Sequence, residues 1–182
     1  PRVAAVPVQG HSGAHTLACA QGIEGKKGVL WWQVRGVLCD KQTPCCLLEN
    51  VDRLLKSPAR ERGRDFGVIL ACLSALGYSV EWRVVNAAQY RAAQRRRRTF
   101  IFAYRDDTHY GKKMADLSFD EIFREDGFMA RAFPVQEMEL VRQKDIGSDI
   151  VAVSDTFAFA FENAGYMHGG TIYTAKVVEA EE

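Results

Sequence analysis

Three groups of residues in this 182-residue chain have the types and spacing to do chemistry. Gln94, Arg95, Arg96, Arg97 and Arg98 put four guanidinium groups directly before a β-like run, residues 99–104. Many arginine runs are simply a solvated basic face. The preceding glutamine and the following strand favour contact with phosphates or bases, and Arg53 and Lys56 extend the same basic stretch. Glu49, followed by Asn50 and Val51, places a carboxylate at the end of the apolar run Cys45-Cys46-Leu47-Leu48. Its alternatives are a strand-end surface pair and a site position. His11, His15 and Cys19 are spaced by four, which on a helix would point one way and could hold zinc. Gly13 and the glycines around them predict a loop instead, so no metal is expected. The five cysteines show no repeated CxxC spacing, which suits reduced thiols and a cytoplasmic setting.

The elements that must position these groups follow from pattern. Val3, Ala4, Ala5 and Val6 form a short apolar run before Pro7, read as a strand, and residues 10–28 read as a loop. Leu30, Val34, Val37 and Leu38 fall at helical spacing, with Trp31 and Trp32 expected to pack in the core. The run from Cys45 to Leu48 is apolar throughout, which predicts a strand covered on both sides, as in a parallel sheet, with both cysteines packed. Residues 54–64 read as a loop or a loose helix start. Phe66, Ile69, Leu70, Leu73 and Leu76 predict a helix ended by Gly77. Residues 78–85 alternate and, with 99–104, read as strands. Residues 106–113 look like a surface excursion, and 122–143 give no clear pattern. Residues 157–167 and 171–178, around His168-Gly169-Gly170, read as a hairpin. Alternation of strand and helix is the grammar of an α/β layer fold.

Composition narrows the function classes. At 47% hydrophobic and 26% charged the chain is that of an ordinary folded protein, which excludes disorder and low-complexity filaments. The longest nearly apolar run, residues 66–78, is too short to cross a bilayer as a helix, and no secretory signal is seen. The net charge of +1 hides an asymmetry. Residues 51–105 carry 12 Lys and Arg against 4 Asp and Glu, whereas residues 106–182 carry 7 against 16. A basic middle attracts phosphate-rich partners and an acidic end repels them.

In order and spacing these motifs resemble the DNA cytosine-5 methyltransferases. Pro7-Val8-Gln9-Gly10-His11-Ser12 is similar to that family's PCQGFS nucleophile loop, Glu49-Asn50-Val51 to its ENV motif, and Gln94 to Arg98 to its QxRxR motif followed by a strand. The resemblance covers residues 1–105 well and the rest more loosely. It implies a partial Rossmann-like sheet of the S-adenosylmethionine-dependent methyltransferase type with helices on both faces, over residues 1–105. A small mixed α+β segment, residues 106–182, would then begin a target-recognition-like region. In the family a cysteine thiolate adds to C6 of a cytosine turned out of the duplex, a carboxylate contacts the ring near N3, and C5 takes the methyl group. By resemblance Glu49 is the ring-contacting acid, and Arg96 and Arg98 hold base and backbone.

The sequence departs from the pattern where the chemistry begins. The nucleophile position is Val8, whose isopropyl group cannot add to C6. The family's FxGxG cofactor turn lies upstream of its PCQ loop, and here six residues precede Pro7; Gly22, Gly25 and Gly28 form no such fingerprint. The chain therefore reads as a truncated relative, inactive alone, binding S-adenosylmethionine weakly if at all and retaining salt-dependent affinity for DNA. The strand before Pro7 would be left with an unpaired edge, which predicts a homodimer or a partner chain that completes the sheet. Two alternatives stand beside this reading: a subunit of a split methyltransferase complemented by another chain, and a non-enzymatic interaction module reusing the scaffold.

Overall fold

The computed structural model describes residues 26–58 and 61–179. Six strands form one sheet in the order β1-β3-β2-β5-β6-β4, every neighbouring pair antiparallel. In chain order the elements are α1 (Lys26–Lys41), β1 (Cys45–Val51), a 3-10 turn (Asp52–Lys56), α2 (Arg64–Ala75), β2 (Tyr78–Asn86), a second 3-10 turn (Ala87–Tyr90) and β3 (Arg97–Arg105). There follow α3 (His109–Ala115), α4 (Phe119–Glu121) running into a π turn (Ile122–Asp126), α5 (Phe128–Ala132), β4 (Val135–Asp145), α6 (Ile150–Thr156), β5 (Ala164–His168) and β6 (Thr171–Glu179). The α/β architecture with helices on both faces is as anticipated. Strands from both halves of the chain share the sheet, because β5 pairs with β2.

One face of the sheet is covered by α1, α2 and α6, whose Trp31, Phe66, Leu70, Leu73 and Val153 pack with Val80, Trp82, Ile101 and Met167. Helix α2 is buried all round from Phe66 to Leu73, as a helix enclosed between a sheet and other helices must be. The opposite face carries the second cluster, in which Met114, Ile122 and Phe123 meet Tyr104, Tyr166, Ala175 and Val177.

Several expectations are corrected. Strand β1 is not covered on both sides: it pairs only with β3 among the described residues, Cys45 is exposed, and Cys46, Leu47 and Leu48 are half-buried. The strand enclosed on both faces is β2, in the middle of the sheet, buried from Tyr78 through Val85 rather than alternating. β1 and β2 do run parallel to each other, but β3 lies between them, antiparallel to both. In α1, Trp31, Trp32 and Leu38 are inside as expected and Val34 packs against them, whereas Leu30 and Val37, anticipated on the same stripe, are 36% and 57% exposed. The supposed excursion after β3 is helix α3, whose Met114 is buried. Residues 157–163 are not strand, although Phe157, Phe159 and Phe161 fill the core. The β5–β6 hairpin turns as predicted, through Gly169 and Gly170 at φ +55° and +79°. The strand expected at Val3 to Val6, the loop holding Val8, and His11, His15 and Cys19 lie outside the described residues.

Candidate nucleic-acid interface

Strand register brings two of the sequence motifs together. β1 runs into its turn opposite the start of β3, pairing Glu49 with Phe100, Asn50 with Thr99 and Val51 with Arg98. Directly opposed residues in an antiparallel pair share a face, as do residues two apart on one strand. Glu49, Arg98 and Phe100 therefore project to the same side. There the Arg98 Nε donates to Glu49 Oε1 at 2.6 Å, and Arg98 Nη1 donates to the Arg97 carbonyl at 2.8 Å. The pair is accessible: the Glu49 side chain is 49% exposed and that of Arg98 24%.

The chain after Glu49 is shaped by its own side chains. Asn50 Oδ1 accepts from the Val51 N–H at 2.8 Å as the strand ends. Asp52 then opens the 3-10 turn and lies 3.6 Å from the Arg97 Nε. Leu55 is buried and anchors this turn to the core, so the exposed Arg53 and Lys56 are carried on a fixed support. On the other side, Asn86 caps the turn at the end of β2 by accepting from the Ala88 N–H, and the Ala87 N–H donates to the Arg96 carbonyl at 3.0 Å. This closes the loop that presents Gln94, Arg95 and Arg96, all exposed.

Of the residues singled out in the sequence, the structure joins Glu49 to Arg98 and sets Arg97 against Asp52. Gln94, Arg95 and Arg96 lie beside them on the loop, and Arg53 follows Asp52 directly. Asp52 was missed, although its place immediately after Val51 was the available signal. Two further charged residues escaped notice. Glu81 and Arg83 are 2% and 1% exposed on β2, on the same face as Glu49. The alternation Glu81-Trp82-Arg83 within an apolar strand was their only trace. Glu81 accepts from the Tyr110 hydroxyl at 2.9 Å and the Met129 N–H at 3.0 Å, and burial pushes its pKa up. Burial likewise pushes the Cys46 thiol up to about 12, with Cys45 beside it adding to the shift. A thiol so poised is protonated at neutral pH and is a poor nucleophile.

S-adenosylmethionine needs a glycine-bounded cradle, and the described glycines offer none. Where an added Cβ would collide, at Gly63, Gly67, Gly111, Gly127, Gly165 and Gly170, the space is already filled by the protein's own backbone or side chains. No helix among the described residues is long and apolar enough to cross a membrane.

Comparison with known proteins places this arrangement. The family model for C-5 cytosine-specific DNA methylase matches residues 3–181. The chain is 47% identical to the type II methyltransferase M.Sau3AI of Staphylococcus aureus over 183 residues, which is 99% of this chain and 44% of that protein. It is 37% identical to the type II methyltransferase M.NlaIV of Neisseria lactamica over 54% of this chain and 23% of that protein. With M.DsaV of Dactylococcopsis salina the figures are 34%, 55% and 26%. The chain thus spans less than half the length of the curated relatives it matches. A match over nearly every residue shows that this chain belongs to the C-5 cytosine-specific DNA methylase family.

Proposed function

We propose that this chain is the base-handling portion of a DNA cytosine-5 methyltransferase, holding DNA without transferring methyl groups unaided. The observation that carries this reading is the 2.6 Å contact between Glu49 and Arg98, flanked by exposed Arg95, Arg96, Arg53 and Lys56. Glu49 supplies the acceptor that faces a cytosine ring, and Arg98 supplies the donor beside it. Arg95, Arg96, Arg97, Arg53 and Lys56 neutralise phosphates, while Gln94 contributes a neutral donor and acceptor. With Val8 at the nucleophile position no covalent adduct to C6 can form there. The absence of catalysis is thus a matter of the missing sulfur, while retention of DNA is a matter of charge.

The test is fluorescence anisotropy with a labelled random-sequence duplex. Binding is expected to weaken by about a hundredfold or more between about 50 and 200 mM salt, since it derives from phosphate neutralisation. Arg96→Ala combined with Arg98→Ala is expected to weaken it further. Affinity that ignores both salt and this double substitution would favour a non-enzymatic interaction module.

The outer edge of β1 supports a second reading. Among the described residues this edge has no strand beside it, and Leu47 and Leu48 are half-buried. Unpaired edges with apolar side chains accept another strand. A second copy of the chain, or a separate chain carrying the cofactor site and a thiol, would extend the sheet there. Methyl transfer restored by mixing with such a chain, and absent from either alone, would establish the split enzyme.

A further inference from the structure

The face that carries Glu49 and Arg98 also carries aromatic rings that the motifs do not account for. Phe100 sits directly opposite Glu49 on β1 and opposite Arg83 on β2. Its ring stacks on that of Phe133, with centroids 6.0 Å apart and planes 28° from parallel. Tyr90 meets Phe133 edge-on at 5.5 Å. All three rings are half-buried, so each still presents some surface to solvent. One register further, Phe102 stacks on Phe128 at 4.1 Å, which continues the row back toward the core.

The position of Phe133 is enforced rather than incidental. It ends helix α5, where its N–H donates to the Met129 carbonyl at 2.8 Å. Its own carbonyl accepts from Nη1 of Arg83 at 3.2 Å. Arg83 is 1% exposed, and a charged side chain so buried is costly unless it is well bonded. The bond from this buried guanidinium holds the Phe133 backbone against β2, and the rings of Tyr90 and Phe100 pack against its side chain.

Carboxylate, guanidinium and aromatic surface together describe a ligand that is flat, apolar on its faces and polar at its rim. A cytosine meets that description: its exocyclic amine donates, its carbonyl accepts, and its ring stacks. We propose that Phe100 and Phe133 form a stacking wall for the nucleobase whose edge Glu49 and Arg98 contact. The inference rests on the DNA-binding reading above and adds a specific surface to it.

The experiment compares two short fluorescent strands of equal length and charge, one of oligo(dC) and one with abasic spacers in place of every nucleoside. The whole chain is expected to bind oligo(dC) at least about fivefold more tightly, the gain for one stacked base. Phe100→Leu and Phe133→Leu keep apolar volume but remove a ring; each is expected to abolish most of that preference and leave affinity for the abasic strand unchanged. Phe133→Tyr keeps a ring and is expected to keep the preference, which separates loss of stacking from loss of fold. Equal binding of the two strands by the unaltered chain would overturn the wall while leaving phosphate binding intact. So would a preference that survives both leucine substitutions. Failure to bind either strand would overturn the DNA-binding reading and the wall with it.

Discussion

Glu49 and Arg98 form an ion pair whose proposed role asks little of it in stability. Both side chains are accessible, and exposed pairs of this kind contribute about 0.2–1 kcal/mol. Arg98→Ala is accordingly expected to shift the urea midpoint only slightly, yet to weaken oligonucleotide binding by about 1–3 kcal/mol through loss of a base contact. Parallel denaturation and anisotropy measurements decide whether the two effects separate. Glu81 is the opposite case, a carboxylate enclosed by the sheet, α3 and α5. Burial raises its pKa, while the bonds from Met129 and Tyr110 and the charge of Arg83 act the other way. Because its folded pKa lies above the unfolded value near 4.5, the native state binds this proton more tightly. Its contribution is therefore full below that pH and is lost as pH rises through the folded pKa. Glu81→Gln removes the titration at the cost of setting an amide against one of its two donors. The stability of Glu81→Gln relative to the unaltered chain is expected to improve steadily as pH is raised from about 4.5. Urea titrations of both proteins across that range would show it, and a flat difference would contradict it.

At the scale of elements, burial depends on where a strand lies in the sheet as much as on its residues. Cys45 to Leu48 is as apolar as any run in the chain, yet β1 ends at the edge of the described sheet. β2, which carries Glu81 and Arg83, is enclosed by strands on both sides and helices on both faces. Its neighbour β5 is fitted to it by one glycine. A Cβ on Gly165 would fall inside the six-membered ring of Trp82, which lies across the strand and packs edge-on against Phe66 and Phe161. Gly165→Ala is therefore expected to destabilise by about 1–3 kcal/mol or more, since a rigid indole in a filled core cannot step aside. Chemical denaturation with tryptophan fluorescence reads this directly. The capping box at α4, where Ser118 and Glu121 each bond the other's backbone N–H, is a milder case. Ser118→Ala is expected to cost about 1 kcal/mol.

For the whole molecule, the charge asymmetry becomes a spatial one. Arg53 and Lys56 follow β1 and Arg95 to Arg98 lead into β3, so the cations of the proposed interface lie at the shared end of these two strands. Each phosphate contact removed lowers the salt dependence of binding by roughly one unit of slope. Arg95→Ala combined with Arg96→Ala is expected to reduce the slope of log affinity against log salt by about two, measured by anisotropy at several salt concentrations. The outer edge of β1 makes a separate expectation. If it recruits a second copy, the mass from light scattering rises with concentration, and Leu47→Lys suppresses the rise, because a lysine on an edge strand opposes pairing.

Much of this was legible from residue order alone. Glu49-Asn50-Val51 and Gln94 to Arg98 are short motifs whose chemistry depends on residue type and spacing, and helix α2 and the Gly169-Gly170 hairpin follow from local periodicity and backbone freedom. What the linear pattern could not supply was the partner of each residue. That β1 is an edge and β2 a centre among the described strands, that Glu49 meets Arg98, that Arg83 bonds the Phe133 carbonyl, and that the rings of Phe157, Phe159 and Phe161 fill a core without forming a strand are all matters of contact between segments far apart in the chain. Such contacts are set by strand order and register, and these are decided by the energy of the assembled sheet rather than by any local preference.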